Sequence, residues 1–346
     1  MVPARAARPR ETIVIEVTGE HPELARAELE AVLEVVGGEG LAPVAPLVFT
    51  AKVPAGGAEE VARRGGLLRR VGTVLSEAPN FEELSPGALK VEGTFAVRAT
   101  PLEGAPASLR SAEVERKVGG RFKGGRVDLV APAHTFRVYV GTRALLTHEV
   151  YDREDDDFEE RAVKHRPYFK PVSLHPKFAR VLVNLTRVHD GETLLDPFCG
   201  TGGILIEAGL VGAHPVGIDA EEAAAEGARK NLEHFGVLGA RVHHGLARDA
   251  RSLLESPITA IATDPPYGRS ATTLKAGARA VMEDSADGLA DALVEGGRLA
   301  LCVPDLSLAA PLEARLEREI AIPQRVHASL TRNYLVLRKP GGRSSR

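Results

Sequence analysis

From residue 193 onward, strand-length apolar runs take turns with helix-length amphipathic stretches, and few folds can absorb that alternation. The pattern predicts strands at Thr193–Asp196, Pro215–Asp219, Arg241–His244, Ile258–Thr263 and Arg298–Val303. Between them it predicts helices at Ile204–Val211, Glu221–Phe235 and Ala278–Val294. In the middle helix, Ala224, Ala228, Leu232 and Phe235 fall on one stripe, as a core-facing helix requires. Strands joined through helices pair in parallel, which makes a wound, Rossmann-like α/β sheet the expected fold. Further helices are predicted over Leu174–Arg187 and near Leu308–Arg318. A terminal hairpin, Arg325–Leu330 with Tyr334–Arg338, would insert one antiparallel strand.

The first half of the chain is less regular. Thr12–Thr18 and Leu47–Val53 read as strands, His21–Val35 and Ala58–Val71 as helices. The pattern then renews itself: strand Thr94–Thr100, a basic helix Ser108–Phe122, and Arg126–Val130 with Thr135–Gly141 alternating like paired strands. Two small α+β units in tandem are expected. The charge run Tyr151-Asp-Arg-Glu-Asp-Asp-Asp-Phe-Glu-Glu-Arg161 reads as a solvated linker. The expected organisation is therefore 1–75, 76–150, a linker at 151–172, and a main domain at 173–346.

Composition narrows the function classes. The 346 residues are 44% hydrophobic and 26% charged with net charge -3, which excludes a polycation and an acidic disordered chain. Two cysteines, Cys199 and Cys302, make neither a disulfide framework nor a zinc site, and no metal is expected. A reducing cytoplasm fits that usage, and Met1-Val-Pro-Ala-Arg leads into no apolar run of signal or membrane type. Locally the balance differs. Between residues 107 and 143, Arg110, Arg116, Lys117, Arg121, Lys123, Arg126, Arg137 and Arg143 stand against Glu113, Glu115 and Asp128, a net of +5. A basic helix is commonly just a solvated face; beside a base-modifying domain it becomes a phosphate clamp.

In wound sheets, ligands bind beyond the carboxyl ends of the strands. The first such end here is Leu194-Leu-Asp-Pro-Phe-Cys-Gly-Thr-Gly-Gly-Ile204, whose glycines let backbone amides reach a ligand at a helix N-terminus. The dinucleotide fingerprint fails, because Leu205 occupies its third glycine position, and no Walker lysine follows. The next strand ends at Asp219, whose carboxylate can accept ribose hydroxyls. Cys199 invites a nucleophilic reading, but it sits in the cofactor turn rather than on a substrate strand. His243 and His244 point to opposite strand faces and read as structural.

The third signal is Asp264-Pro265-Pro266-Tyr267, after the strand Ile258–Thr263. An aromatic amine is a poor nucleophile because its lone pair is delocalised into the ring. The Asp264 carboxylate and the Pro265 carbonyl can accept its two N–H hydrogens and help localise that lone pair. The proline pair stiffens the turn, and Tyr267 can stack on the base. Direct transfer of a methyl group to that amine then needs neither a metal nor a protein nucleophile.

Asp-Pro-Phe-Cys-Gly-Thr-Gly-Gly together with Asp-Pro-Pro-Tyr-Gly-Arg-Ser resembles the THUMP-containing tRNA guanine-N2 methyltransferases, in particular the archaeal type that modifies guanosine 10. Arg166-Pro-Tyr-Phe-Lys-Pro-Val-Ser-Leu-His-Pro-Lys-Phe-Ala-Arg180 resembles that family's entry into its catalytic domain. The resemblance implies a class I methyltransferase domain at 173–346, a ferredoxin-like unit at 1–75 and a THUMP unit at 76–150. It implies that Asp196, Phe198, Gly200, Thr201, Gly202 and Gly203 line S-adenosylmethionine, that Asp219 holds its ribose and that Asp249 meets its adenine. The segment Gly245-Leu-Ala-Arg-Asp-Ala250 is looser than the family's compact Gly-Asp-Ala around that last residue. The tRNA-binding face is expected at Arg110, Arg116, Lys117, Arg121, Lys123 and Arg126. A monomer or weak oligomer is expected, and a small zinc-containing activator serves some relatives. The implied product is N2-methylguanosine, then N2,N2-dimethylguanosine. Two other readings stay open from the residues alone: a nucleic-acid adenine-N6 methyltransferase, and a non-catalytic RNA-binding protein with a vestigial methyltransferase fold.

Overall fold

The computed structural model describes residues 9–153, 158–170, 173–266, 277–327 and 330–341. It divides into two compact units. One takes Met1–Ala25, Val36–Arg63 and Leu67–Glu154; the other takes Arg26–Val35, Arg64–Gly66 and Asp155–Arg346.

The first unit is built on one eight-stranded sheet. Its strands are β1 (Arg10–Val17), β2 (Glu39–Ala45), β3 (Val48–Pro54), β4 (Leu68–Ala78), β5 (Lys90–Pro101), β6 (Lys123–Val127), β7 (His134–Val140) and β8 (Ala144–Asp152), in the order β2-β3-β1-β4-β8-β7-β5-β6. Helices α1 (Pro22–Val36), α2 (Gly57–Arg64) and α3 (Ser111–Gly119) interrupt them. The two expected α+β units thus share a sheet, joined where β4 pairs with β8. Strands β2, β4 and β8 escaped the sequence reading, and Ala58–Val71 is helical only to Arg64. Strands β6 and β7 do not pair with each other; each lies parallel to β5, on opposite sides of it. Alternation marks a half-buried strand but not its partner. Val114 and Val118, one turn apart on α3, close over Phe95, Phe136 and Val138 of the sheet.

The acidic run is not all linker. Asp152 completes β8, where Arg70 Nε and Arg137 Nη2 approach its Oδ2 at 2.9 and 3.1 Å. Arg70 also pairs with Glu16 and Arg137 with Glu149, so a half-buried ion network crosses β1, β4, β7 and β8. Its hydrogen bonds and neighbouring carboxylates outweigh desolvation and hold the Arg70 guanidinium above its ordinary pKa. Charge density in sequence signals water only when the opposite charges are not waiting elsewhere in the chain.

The second unit carries a seven-stranded sheet in the order β11-β10-β9-β12-β13-β15-β14. The strands are β9 (Thr193–Asp196), β10 (His214–Asp219), β11 (Arg241–His244), β12 (Ile258–Thr263), β13 (Leu293–Val303), β14 (Glu317–His327) and β15 (Leu330–Arg338). The first five pair in parallel, and β15 enters antiparallel between β13 and β14. The helices are α4 (Pro176–Leu185), α5 (Gly203–Leu210), α6 (Glu222–His234), α7 (Ala250–Leu253), α8 (Ala278–Ala292) and α9 (Ala310–Glu313). The expected Rossmann-like winding is present. The helix expected near Leu308–Arg318 is only a short 3-10 turn followed by the single turn of α9, and β14 begins at Glu317 instead. Leu195, Ile218, Ile261, Leu299 and Leu335 form one core with Met282 and Leu289 of α8. A second cluster joins α5 and α6 through Leu205, Ile206, Ala228 and Leu232.

Two interruptions of the first half belong to this second unit. Buried Glu28 accepts hydrogen bonds from Asn184 Nδ2 and the Gly66 amide, each at 2.7 Å. Arg64 donates to the carbonyls of Val188 and Val211, and its own carbonyl receives Asn184 Nδ2. Among the described residues no helix is long and apolar enough to cross a membrane.

Candidate cofactor and substrate site

Parallel pairing sets the site. Register partners Ala260↔Leu194 and Ile261↔Leu195 bring the carboxyl ends of β9 and β12 side by side. Asp196 and Asp264, the residues at those ends, line one cleft with Phe198, Cys199, Gly200, Thr201, Gly203 and Ile204. Sequence motifs nearly 70 positions apart thus meet because both follow strands that run the same way.

The turn after β9 is held from the neighbouring strand. Gly200 donates its amide to Asp219 Oδ2 at 2.8 Å, and Glu221 donates to Oδ1 at 2.9 Å. Gly202 stands in the left-handed region, φ 79°, immediately before α5, where a side chain is strained. Space is open above the Cα of Gly200. Asp219 is absent from the lining of this cleft; it braces the turn, and its remaining lone pairs are what a hydroxyl could use.

Asp196 is buried, and its Oδ1 accepts from Thr263 Oγ1 at 2.8 Å and from the Phe198 amide at 3.2 Å. Burial, with Asp264 and Asp219 adding negative charge nearby, pushes its pKa up to about 7 against those two hydrogen bonds. Burial likewise pushes the Cys199 thiol up, which disfavours the thiolate that a nucleophilic role would need. Asp264 is half-buried and Pro265 buried. Tyr267 lies outside the described residues. Asp249 is exposed in the 3-10 turn Ala247–Asp249 after β11 and is not part of the cleft lining.

The cleft has a further wall, formed by the segment around Arg166, to which the motifs alone assign no role. Arg166, Lys170, Ser173 and Leu174 line it. Tyr168 is strapped to α6 by a bond from its amide to Asn231 Oδ1 and one from Asn231 Nδ2 to its carbonyl. A Cβ on Gly227 would fall 2.1 Å from the Tyr168 ring, so only glycine admits this contact. Phe158 is buried as well. Residues 158–170, expected to be linker, are therefore built into the second unit.

In the first unit the basic cluster divides in two. Arg121 donates to the carbonyls of Phe81, Glu82 and Leu84, and Lys117 pairs with Glu113 while lying over the Phe81 ring. Arg137 is in the half-buried ion network and Arg143 pairs with Glu77. Arg110, Arg116, Lys123 and Arg126 are exposed, with no ion pair among the described residues.

Similarity to known proteins agrees with the geometry. The sequence profile of the family described as "RMKL-like, methyltransferase domain" matches residues 164–333. A protein of Methanothermobacter thermautotrophicus named tRNA (guanine(10)-N2)-dimethyltransferase is 34% identical over 346 residues, covering 94% of this chain and 99% of the relative. One of the same name from Pyrococcus abyssi is 33% identical, covering 93% and 98%. The crystal structure of TrmN from Thermus thermophilus matches with a TM-score of 0.54 at 25% identity, covering 95% of this chain and 99% of that one.

Proposed function

This chain belongs to the tRNA (guanine(10)-N2)-dimethyltransferase family, and from that premise we propose how its residues act and which guanosine they act on. It catalyses S-adenosylmethionine-dependent methylation of the N2 amine of a guanosine in tRNA. The cleft suits that cosubstrate: a glycine turn with open space, the start of α5, whose first amides the helix itself cannot pair, and carboxylates and a guanidinium around them. When bound, it supplies an electrophilic methyl group on a sulfonium.

The chain's own residues then have separable tasks. Asp219 fixes the glycine turn and offers its remaining lone pairs to ribose hydroxyls. Phe198 adds apolar surface, and Asp249 is the reading's choice at the adenine edge. Asp264 and the Pro265 carbonyl accept the two hydrogens of the guanine amine and aim its lone pair toward the cleft. Pro265 and Pro266 hold those acceptors rigid before reaction, which removes an entropic cost from the barrier. Asp264 takes the released proton, directly or through solvent. Tyr267 stacks on the base.

The finer reading is guanosine 10, methylated twice. It places a ferredoxin-like unit and a THUMP unit in residues 1–150, with Arg110, Arg116, Lys123 and Arg126 contacting tRNA phosphates near the acceptor end. The cytoplasm is the compartment that this substrate favours. A monomer or weak oligomer remains the reading, and a small zinc-containing activator is the partner to add back if activity is low.

The observation that carries the proposal is the meeting of Asp196 and Asp264 in one cleft. The test offers labelled S-adenosylmethionine with bulk tRNA or duplex DNA, followed by nucleoside mass spectrometry. N2-methylated guanosine from tRNA alone is expected. N6-methyladenosine, or no transfer by folded protein, would refute it.

A further inference from the structure

Arg166 is 4% exposed, yet among the described residues no carboxylate lies within ion-pair distance of it. Its Nε donates to the Arg161 carbonyl at 3.1 Å and its Nη1 to Thr201 Oγ1 at 3.0 Å, both neutral acceptors. The nearby carboxylate, Glu207, is already shared by Arg161 and Arg180 at 2.7 and 2.8 Å. Three buried or half-buried guanidiniums thus stand around one acid. A buried guanidinium without a direct ion pair among the described residues is costly, and an anion brought to it would offset that cost.

The place where that charge sits is informative. The guanidinium turns its Nη edge toward the first residue of α5: a Cβ on Gly203 would fall 3.0 Å from Nη1, 3.3 Å from Nη2 and 3.5 Å from Cζ. Arg166, Thr201, Gly203 and Ile204 all line the cleft. At this point the first amides of α5 have no partner within the helix, and its dipole favours an anion. Desolvation pushes the Arg166 pKa down, with Arg161 adding to the effect and Glu207 opposing it, which an arriving carboxylate would reverse.

We propose that Arg166, over the first turn of α5, receives the carboxylate of the amino-acid end of S-adenosylmethionine. The inference rests on the cofactor reading above. A guanidinium fork matches a carboxylate in two parallel hydrogen bonds, which lysine cannot reproduce. Arg166 is a binding and positioning residue, remote from proton transfer.

The test is calorimetric binding to the full chain of S-adenosylmethionine and of decarboxylated S-adenosylmethionine, which keeps the sulfonium and amine but lacks the carboxylate. Wild-type protein should prefer the carboxylate-bearing compound by about 10- to 100-fold. Arg166→Met should lose most of that preference by weakening S-adenosylmethionine alone, leaving the decarboxylated compound within about two-fold. Equal weakening of both ligands by Arg166→Met overturns the assignment and makes Arg166 structural, as does a wild-type protein without preference. Should Arg166→Met not fold, Arg166→Lys decides: a reduced preference supports the fork, and an undiminished one overturns it. Wild-type protein that binds neither compound overturns the cofactor reading itself, a result distinct from equal weakening.

Discussion

Thr263 donates its hydroxyl to Asp196 Oδ1 across 2.8 Å, tying the last residue of β12 to the last residue of β9. The Phe198 amide reaches the same oxygen, which leaves Oδ2 to carry a proton. Because the folded chain raises the Asp196 pKa from 3.8 to about 7, the folded state binds this proton more tightly than the unfolded state. The contribution to stability is complete below pH 3.8 and is lost as pH rises through about 7. Asp196→Asn keeps an acceptor oxygen but cannot ionise. Its melting temperature relative to wild type should climb between pH 5 and pH 8, each 1 kcal/mol giving about 2–4 °C. Differential scanning fluorimetry across that range checks it, and a pH-independent difference would contradict it.

Asp264 and Asp219 should separate chemistry from binding. Asp264→Ala removes an acceptor for the amine and should lower kcat by about 10²- to 10⁴-fold while leaving S-adenosylhomocysteine affinity within a few-fold. Asp219→Ala releases the amides of Gly200 and Glu221 and should weaken that affinity by about 10- to 100-fold. Calorimetry with single-turnover kinetics distinguishes the two. Equal loss of affinity in both variants would show that the roles are assigned wrongly.

Within the basic cluster, Arg116 and Arg121 should behave oppositely despite being five residues apart. Arg116 is exposed, so Arg116→Ala should weaken tRNA binding and lower the salt slope by about one, with little thermal change. Arg121→Ala strands three carbonyls of the 81–84 turn and should cost about 1–3 kcal/mol of stability. Filter binding over a salt series beside thermal melts reads both. A large melting loss in Arg116→Ala alone would reverse the assignment.

The two methyl additions should differ modestly in rate. After the first, the amine keeps one hydrogen for two acceptors, Asp264 and the Pro265 carbonyl. Losing one hydrogen bond in the second transition state costs about 0.5–1.5 kcal/mol, a slowing of about 2- to 13-fold. N2-methylguanosine should peak and then decay into N2,N2-dimethylguanosine in a nucleoside time course. Arrest at the first product with fresh enzyme and cosubstrate would refute a double addition.

The legible part of this chain is the part governed by local rules. Strand and helix periods placed β9 to β12 closely and caught the second half of β13, which begins five residues earlier than expected, and the Asp196 and Asp264 motifs are legible because each combines a carboxylate with glycine or proline directly after a strand. What escaped depends on distant partners. Nothing local to β8 says that Asp152 neutralises Arg70 and Arg137, so its acidic surroundings read as solvent-facing. Arg121 looks like any surface arginine until three carbonyls converge on it. Arg166 stands in a segment that the sequence marks, but its significance lies in having no direct ion pair among the described residues, which spacing along the chain does not reveal.

The bond between Glu28 and Asn184 bears on how far the catalytic half can be handled as a transferable part. Residues 26–35 and 64–66 complete its packing, although they lie more than a hundred positions upstream of Asn184. A fragment cut at the acidic run keeps every motif of the cleft yet leaves the Asn184 amide, the Val188 and Val211 carbonyls and a buried apolar face without their covers. Recombination that exchanges the residues before that boundary for another module would hand the recipient an incomplete catalyst. A working transplant of the catalytic half therefore has to carry residues 26–35 and 64–66 with it.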